Sequence, residues 1–162
     1  GGVDTTQSQM AHAIRLLAER PEQWRLLAEQ PELAGAAVEE ALRYEPITPF
    51  TARITTSDVT YRDIDFPAGT IVMVCAHTGN RDVDGERPEE FDIAADRGRA
   101  RALTFGAGIH YCLGANLARL ELNEALSFLA PRLKGLRLDG EPEYETIMGI
   151  YGLAKLPVAF SV

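Results

Sequence analysis

The stretch FGAGIHYCLG, residues 105–114, decides how this chain is interpreted. It places three glycines, one histidine and one cysteine within ten positions, directly before a helical pattern. Glycines permit tight turns and close approach of the backbone to a flat ligand. Where such a loop meets a helix N-terminus, backbone N–H groups and the helix dipole favour a thiolate. The alternative is a small buried core cysteine, the usual fate of a free thiol. The setting favours a loop that presents Cys112 to a ligand.

The composition limits the class of protein. The chain has 162 residues, 46% of them apolar and 25% charged, which suffices for one domain with a hydrophobic core. No apolar run is long enough to span a membrane. A net charge of −8 argues against general binding to nucleic acid or to anionic membranes. Two cysteines, Cys75 and Cys112, fit a reducing compartment, and we expect a cytoplasmic protein.

The apolar spacing predicts mainly helices with a smaller β portion. Helices are predicted over 3–19, around Trp24, over 31–44 and from about Cys112 to Leu129, the last of them largely buried. His12 is expected on a helix surface. Strands are predicted within 52–63, over 70–77 as a buried strand, and at 136–138 and 156–160. Residues 78–104 have no clear period and are expected to form a long functional connection.

Every fixed position of the pattern Phe-Gly-x-Gly-x-His-x-Cys-x-Gly is filled in residues 105–114. This stretch resembles the haem-binding signature of the cytochrome P450 family. The resemblance implies haem b as the cofactor and Cys112 as the axial thiolate ligand of its iron. It implies a propionate-binding role for His110. The remaining cofactor-binding positions of the loop would be Phe105, Gly106, Gly108 and Gly114.

A second match lies in EEALR, where Glu40 and Arg43 are three residues apart on one helical face and can pair. By resemblance this is a structural pair buried beneath the haem loop, together with a further arginine. The family often supplies that arginine in a Pro-x-Arg-Phe stretch, but this chain reads PEEF, with Glu90 in its place. Either Arg81 or Arg87 substitutes, or the network is incomplete.

A third match lies at the start of the chain. GGVDTT resembles the oxygen-binding stretch of the family's distal helix. The resemblance implies catalytic roles for Thr5, which would hold protons near the distal oxygen, and for Asp4, which would resupply them. Without the other two matches, capping of a helix by Asp4 and Thr5 would be the better interpretation. Arg53 resembles a second propionate-binding residue, whereas the position of a further propionate-binding histidine holds Ala102.

The resemblance covers the whole chain but only part of the family's length. It implies the C-terminal portion of a longer, bacterial-type cytochrome P450, with the distal helical part absent. The fold expected is the end of the distal helix, the paired-helix region, a β-sheet, the haem loop and the helix that follows it. We expect that last helix to expose apolar surface and to promote self-association.

The activity implied is that of a haem-thiolate monooxygenase, which uses dioxygen and two electrons from a ferredoxin or flavodoxin-like donor. Ile47–Phe50 and Ile147–Tyr151 are the candidate substrate-facing segments, and both are mostly apolar, so a hydrophobic small molecule is expected. Arg97, Arg99 and Arg101 form a basic run on an acidic chain. This run is either a solvated loop or the docking site of an acidic electron donor.

Two alternatives remain. Cys75, His77, His110 and Cys112 could form a Cys2His2 zinc site, although the single-residue gap within each pair is short for zinc. The second alternative keeps the family but removes the activity: a fragment with weak or no haem binding and no monooxygenase function.

Overall fold

The computed structural model describes residues 2–82, 87–97, 102–147 and 149–162, and only the main chain of residue 147. Within these ranges the α-helices are α1 (Asp4–Ala18), α2 (Pro21–Glu29), α3 (Ala34–Tyr44), α4 (Ala76–Gly79) and α5 (Ala115–Leu129). The strands are β1 (Phe50–Ile54), β2 (Val59–Tyr61), β3 (Ile64–Phe66), β4 (Ile71–Cys75), β5 (Lys134–Leu138), β6 (Glu143–Ile147), β7 (Ile150–Lys155) and β8 (Val158–Ser161). Short 3-10 turns occupy Pro31–Leu33, Leu103–Phe105 and Gly108–His110.

The core is built where α1, α2, α3 and α5 meet. The connection after α4 and strand β5 also contribute to this core. Its largest fully buried apolar side chains are Leu16, Leu17, Trp24, Leu27, Leu42, Ile93, Leu122, Leu126 and Leu136. Pro21 opens α2 at a position where its missing N–H costs nothing. The indole N–H of Trp24 donates to the carbonyl of Leu133 at 2.7 Å, so this buried ring keeps no unpaired polar group.

The strands form antiparallel pairs rather than one continuous sheet. In the described ranges β1 pairs with β4, β2 with β3, β5 with β8, and β6 with β7. The β6–β7 hairpin lies against α1. A Cβ at Gly152 of β7 would come within 3.3 Å of the hydroxyl of Ser8, so only glycine permits this approach without displacement.

The helices over 3–19, around Trp24 and over 31–44 are confirmed, the last beginning as a 3-10 turn. The strand prediction over 70–77 is wrong about burial, because Ile71 and Met73 of β4 are 67% and 55% exposed. The β6–β7 hairpin is not predicted by the sequence pattern. His12, expected on the surface, is fully buried in α1.

The last helix is only partly buried. α5 begins at Ala115, three residues after the predicted start, and buries Ala115, Leu122 and Leu126. Its leucines at 117 and 120 are each 57% exposed, so the prediction of a largely buried helix is wrong and the expected apolar surface is present. Across the described ranges, no helix combines the length and apolar character needed to cross a membrane.

Candidate functional site

A cleft of about 270 Å³ lies between the start of α1, the segment after α3, and the glycine-rich loop before α5. This volume is just below the range of about 300–1,000 Å³ for small-molecule sites. Its walls contain predicted site residues from the first and third sequence matches, together with Arg53: Thr5, Arg53, Phe105, Gly106, His110, Cys112 and Gly114. The predicted residues of the second match, Glu40 and Arg43, do not line this cleft. Asp4 and Gly108 are described but do not line the cleft. The fold thus brings together residues that are more than 100 positions apart.

The loop presents the thiol of Cys112 to this cleft. Gly106 has φ +72°, a left-handed conformation that favours glycine and turns the chain after Phe105. The N–H of Cys112 donates to the carbonyl of Phe105 at 2.9 Å, which closes the loop. The thiol itself is free and exposed. Because α5 begins only at Ala115, Cys112 lies in the loop and not in the helix.

Buried polar contacts attach this loop to α3. Asn80 is 2% exposed, and its amide nitrogen donates to the carbonyl of Arg43 and to the hydroxyl of Thr104, both at 3.1 Å. Its amide oxygen accepts the N–H of Leu103 at 2.6 Å. Thr104 in turn donates to the carbonyl of Leu42 at 2.6 Å. Sequence reasoning missed Asn80, because a single asparagine in an irregular connection carries no local signal.

The predicted Glu40–Arg43 pair is present and buried. Arg43 donates to both carboxylate oxygens of Glu40, Nε to Oε2 at 2.7 Å and Nη2 to Oε1 at 2.8 Å. Arg97 donates to the same carboxylate, Nη2 to Oε1 at 2.7 Å and Nε to Oε2 at 3.2 Å. Burial raises the pKa of Glu40, but the hydrogen bonds from Arg43 and Arg97 outweigh it and hold that pKa below its usual value.

The arginine that completes this network is therefore Arg97, and the prediction of Arg81 or Arg87 is wrong. Arg81 instead pairs with Glu89 and Arg87 with the side chain of Glu90, both near the surface. The backbone at Glu90 still takes part, since its carbonyl accepts from Arg43 at 2.8 Å and from Arg97 at 2.9 Å.

This result also corrects the interpretation of the basic run. The side chain of Arg97 is 19% exposed and faces Glu40, so it belongs to the buried network and not to a docking surface. Arg99 and Arg101 lie outside the described residues.

The donor set fits a haem better than a bare metal ion. Among the described residues, no group of three or more His, Cys, Asp or Glu side chains could hold a metal ion, which leaves the Cys2His2 interpretation without support. A haem iron already has four ring nitrogens and needs one axial ligand from the protein. The cleft offers the exposed thiol of Cys112 beside Arg53 and His110, which suit the carboxylates of the ring. Its apolar walls suit the ring itself and include Leu42, Ile47, Phe105, Leu117 and Leu122.

Two residues that the sequence analysis did not select support the site, Gln9 in the cleft wall and Arg119 outside it. Gln9 is 3% exposed, and its buried amide oxygen has no hydrogen-bond partner within the described part of the chain. Arg119 of α5 lies over the ring of Phe105, 4.6 Å from its centroid, and donates to the hydroxyl of Tyr111 at 3.0 Å. Arg119 thus supports the loop from outside the cleft. Gln9 lies one helical turn after Thr5, and this spacing is the sequence signal that could have indicated Gln9.

Comparison with known proteins agrees with the resemblance that the sequence motifs show. The model of the family described as Cytochrome P450 matches residues 1–132. Luteothin monooxygenase of Streptomyces thioluteus is 42% identical over 164 residues, covering 98% of this chain and 39% of that protein. Mycinamicin IV hydroxylase/epoxidase of Micromonospora griseorubida is 41% identical, covering 98% of this chain and 41% of that protein. The crystal structure of CalO2 superimposes with a TM-score of 0.89 at 39% identity, covering 99% of this chain and 41% of that one.

The chain belongs to the cytochrome P450 family. The predicted fold class, mainly α with a smaller β portion of the P450 fold, is confirmed. Family membership implies haem as the cofactor. The chain spans about two fifths of the length of the relatives that it matches.

Proposed function

We propose that the residues lining the cleft form the cofactor-binding part of a haem-thiolate monooxygenase, with haem b as the bound group. The observation that carries the proposal is the single cleft in which Cys112 meets Arg53, His110 and Thr5. Cys112 would supply the axial sulfur through its exposed thiol. Arg53 and His110 would hold the two carboxylates of the ring by charge-assisted hydrogen bonds. A haem bound there would supply the activation of dioxygen, in which two electrons from the donor and two protons allow one oxygen atom to enter the substrate and the other to leave as water.

The loop would control the sulfur ligand. Gly106, in its left-handed conformation, turns the chain so that Phe105 and Cys112 are joined by a backbone hydrogen bond. A Cβ at Gly114 would lie 4.0 Å from the sulfur of Cys112, so the glycine keeps the surroundings of the thiol open. The hydrogen bond holds the main chain of Cys112, and with it the base of the thiol side chain, before any ligand binds. Preorganisation of this kind is what keeps a metal ligand in one orientation.

The start of α1 would deliver protons. Thr5 is half-buried in the cleft wall, whereas Asp4 is exposed and outside it. Thr5 would hold a proton at its hydroxyl, and Asp4 would exchange protons with solvent and resupply Thr5. Gly2, which also lines the cleft, has no side chain to fill the space beside Thr5. A division of roles between a half-buried hydroxyl and an exposed carboxylate is a workable proton relay.

The substrate would be a hydrophobic small molecule. Ile47 and Leu42 form an apolar wall beside Thr48 and Thr51 in the cleft. Of the second candidate segment, residues 147–151, Tyr151 contacts Ile47 through its backbone, whereas Met148 and the side chain of Ile147 lie outside the described residues. Electrons would come from a ferredoxin or flavodoxin-like donor in the cytoplasm. Two of the relatives are named as a monooxygenase and as a hydroxylase/epoxidase, which supports the reaction class.

The experiment that tests the proposal uses the haem-loaded protein, a ferredoxin-type donor with its reductase, lauric acid as a hydrophobic probe, and isotopically labelled dioxygen. The proposal predicts one labelled oxygen atom in the product. Thr5→Ala and Asp4→Asn should lower product formed per electron consumed while leaving haem content unchanged. Electron consumption without labelled product in the unaltered protein would reject the monooxygenase assignment. In that case the alternative of an inactive fragment would hold.

A further inference from the structure

A buried polar stripe runs along α1 beside the cleft. Gln9, His12 and Arg15 are three residues apart, so they lie on one side of the helix. They are 3%, 0% and 7% exposed. Buried polar side chains are costly unless they bind a partner, so their contacts show what the stripe holds.

The stripe holds the segment that follows α3. Gln9 Nε2 donates to the carbonyl of Glu45 at 3.1 Å. Arg15 Nη2 donates to the carboxylate of the same residue at 2.9 Å. Two residues further on, Ile47 enters the cleft wall with Thr48. The beginning of this segment is thus fixed to α1 by its main chain and its side chain.

His12 fixes the same segment through the β6–β7 hairpin. Its Nε2 donates to the carbonyl of Tyr151 at 3.1 Å, and its ring stacks on the Tyr151 ring with centroids 4.9 Å apart. The N–H of Tyr151 donates to the carbonyl of Ile47 at 2.7 Å. The Tyr151 ring also stacks on Tyr144, with centroids 5.3 Å apart and planes at 4°. Tyr151 is therefore held from both sides of its main chain, by His12 and by Ile47.

The protonation state of His12 suits this role. Its Nδ1 is buried and has no hydrogen-bond partner among the residues that the structure describes, so a second ring proton would find no acceptor there. Burial, and then the charge of Arg15, lower the pKa of His12 from 6.5 to about 4. The ring is consequently neutral near pH 7, with its proton on Nε2 where Tyr151 needs a donor. The charged and titratable groups around it are Arg15 and Glu19 on α1, Glu45 after α3, and the two stacked tyrosines.

We infer that His12 is a positioning residue that sets the cleft wall at Ile47 and Thr48, and thereby determines which bulky apolar ligands fit beside the haem that Cys112 would hold. The path is short: His12 fixes Tyr151, and Tyr151 fixes Ile47. A small ligand at the same place does not need this wall. The inference rests on the proposed function, because it places the ligand next to a haem held by Cys112.

The test compares two azoles that bind ferric haem iron through nitrogen and shift its absorption band: imidazole, which is small, and clotrimazole, which is bulky. His12→Phe keeps a stacking ring but loses the donor, and His12→Asn keeps a small polar side chain that does not reach Tyr151. His12→Gln keeps an amide donor at a reach similar to Nε2. Gln7→Ala, at an exposed position of the same helix, is the control.

A tenfold change in a dissociation constant corresponds to about 1.4 kcal/mol, which is of the order of the cost of losing one buried hydrogen-bond donor. We therefore expect His12→Phe and His12→Asn to raise the Kd of clotrimazole about tenfold. The Kd of imidazole should change less than about twofold, and His12→Gln and Gln7→Ala should stay close to the unaltered protein.

An equal change for both azoles in His12→Phe and His12→Asn would mean that His12 only supports folding, and would overturn the inference. No change for either azole would overturn it as well. Should His12→Phe fail to take up haem, His12→Asn and His12→Gln give the same comparison. Failure of the proposed function is distinguishable from failure of the inference about His12. In the first case the unaltered protein would bind neither haem through Cys112 nor imidazole, and the inference would be rejected together with the proposed function.

Discussion

Arg97 reaches the carboxylate of Glu40 across 57 positions of the chain and donates to both of its oxygens, at 2.7 and 3.2 Å. Arg43 and the N–H of Asp92 bind the same carboxylate. Glu40 is 3% exposed, so its charge is stabilised almost entirely by these donors. The contact joins α3 to the chain segment that precedes the Cys112 loop.

Arg97→Gln should lower the free energy of unfolding by about 2–4 kcal/mol, since a buried carboxylate loses one of its two cationic partners. Arg87→Gln is the matched control, because the side chain of Arg87 is 61% exposed and its ion pair should contribute less than about 1 kcal/mol. Urea denaturation of the two variants measures the difference. Equal losses in both variants would contradict a buried role for Arg97.

Mild acid should destabilise the protein through His12. Its pKa is about 4 when folded and 6.5 when unfolded, so the unfolded state takes up the proton first as pH falls. The free energy of unfolding should therefore decrease from pH 6.5 towards pH 4, by about 3 kcal/mol in total from this group. Denaturation of the unaltered protein and of His12→Gln across this range isolates the effect. Parallel pH profiles for the two proteins would show that His12 is not the group responsible.

The apolar side of α5 should cause these 162 residues to self-associate. Leu113, Leu117 and Leu120 are 103%, 57% and 57% exposed, and an apolar surface of this kind favours association. Light scattering should report species larger than a monomer, and Leu117→Glu with Leu120→Lys should shift the mass towards the monomer. Ile54→Glu, on exposed β1, is a control for added charge alone. A monodisperse monomer in the unaltered protein would contradict this prediction.

Arg99 and Arg101 are the remaining candidates for docking an acidic electron donor. Reversing both charges, Arg99→Glu with Arg101→Glu, should slow reduction of the haem by a ferredoxin-type donor, and the effect should weaken at high salt. Haem content should not change. Arg25→Glu is the control, since Arg25 is exposed on α2 with 74% of its side chain accessible. Equal reduction rates in all three proteins would leave the basic run as a solvated loop.

The sequence was most informative where the signal is local. The helices at 3–19 and 31–44 follow from their apolar spacing, and the Cys112 loop follows from its glycines and the family pattern. Arg97 was missed as the partner of Glu40 because that contact depends on how an irregular connection folds back on α3. The contact between Arg97 and Glu40 leaves no periodic pattern in the sequence.

His12 was misjudged for a different reason. A polar residue in a helix is usually on the surface, and only the β6–β7 hairpin packed on α1 buries it. That hairpin was itself missed, because β6 alternates polar and apolar residues only briefly before the turn at Gly149. The apolar run of β4 predicts a covered strand, whereas Ile71, Met73 and Val74 are exposed and Val72 and Cys75 are only partly buried within the described chain.

The central claim is that Cys112 ligates a haem iron, and an absorption spectrum of the haem-loaded protein, reduced and exposed to carbon monoxide, tests it most directly. The account predicts the red-shifted Soret band of thiolate ligation, retained in Cys75→Ser and lost in Cys112→Ser. An unshifted band in the unaltered protein, or a red-shifted band that survives Cys112→Ser, would contradict it.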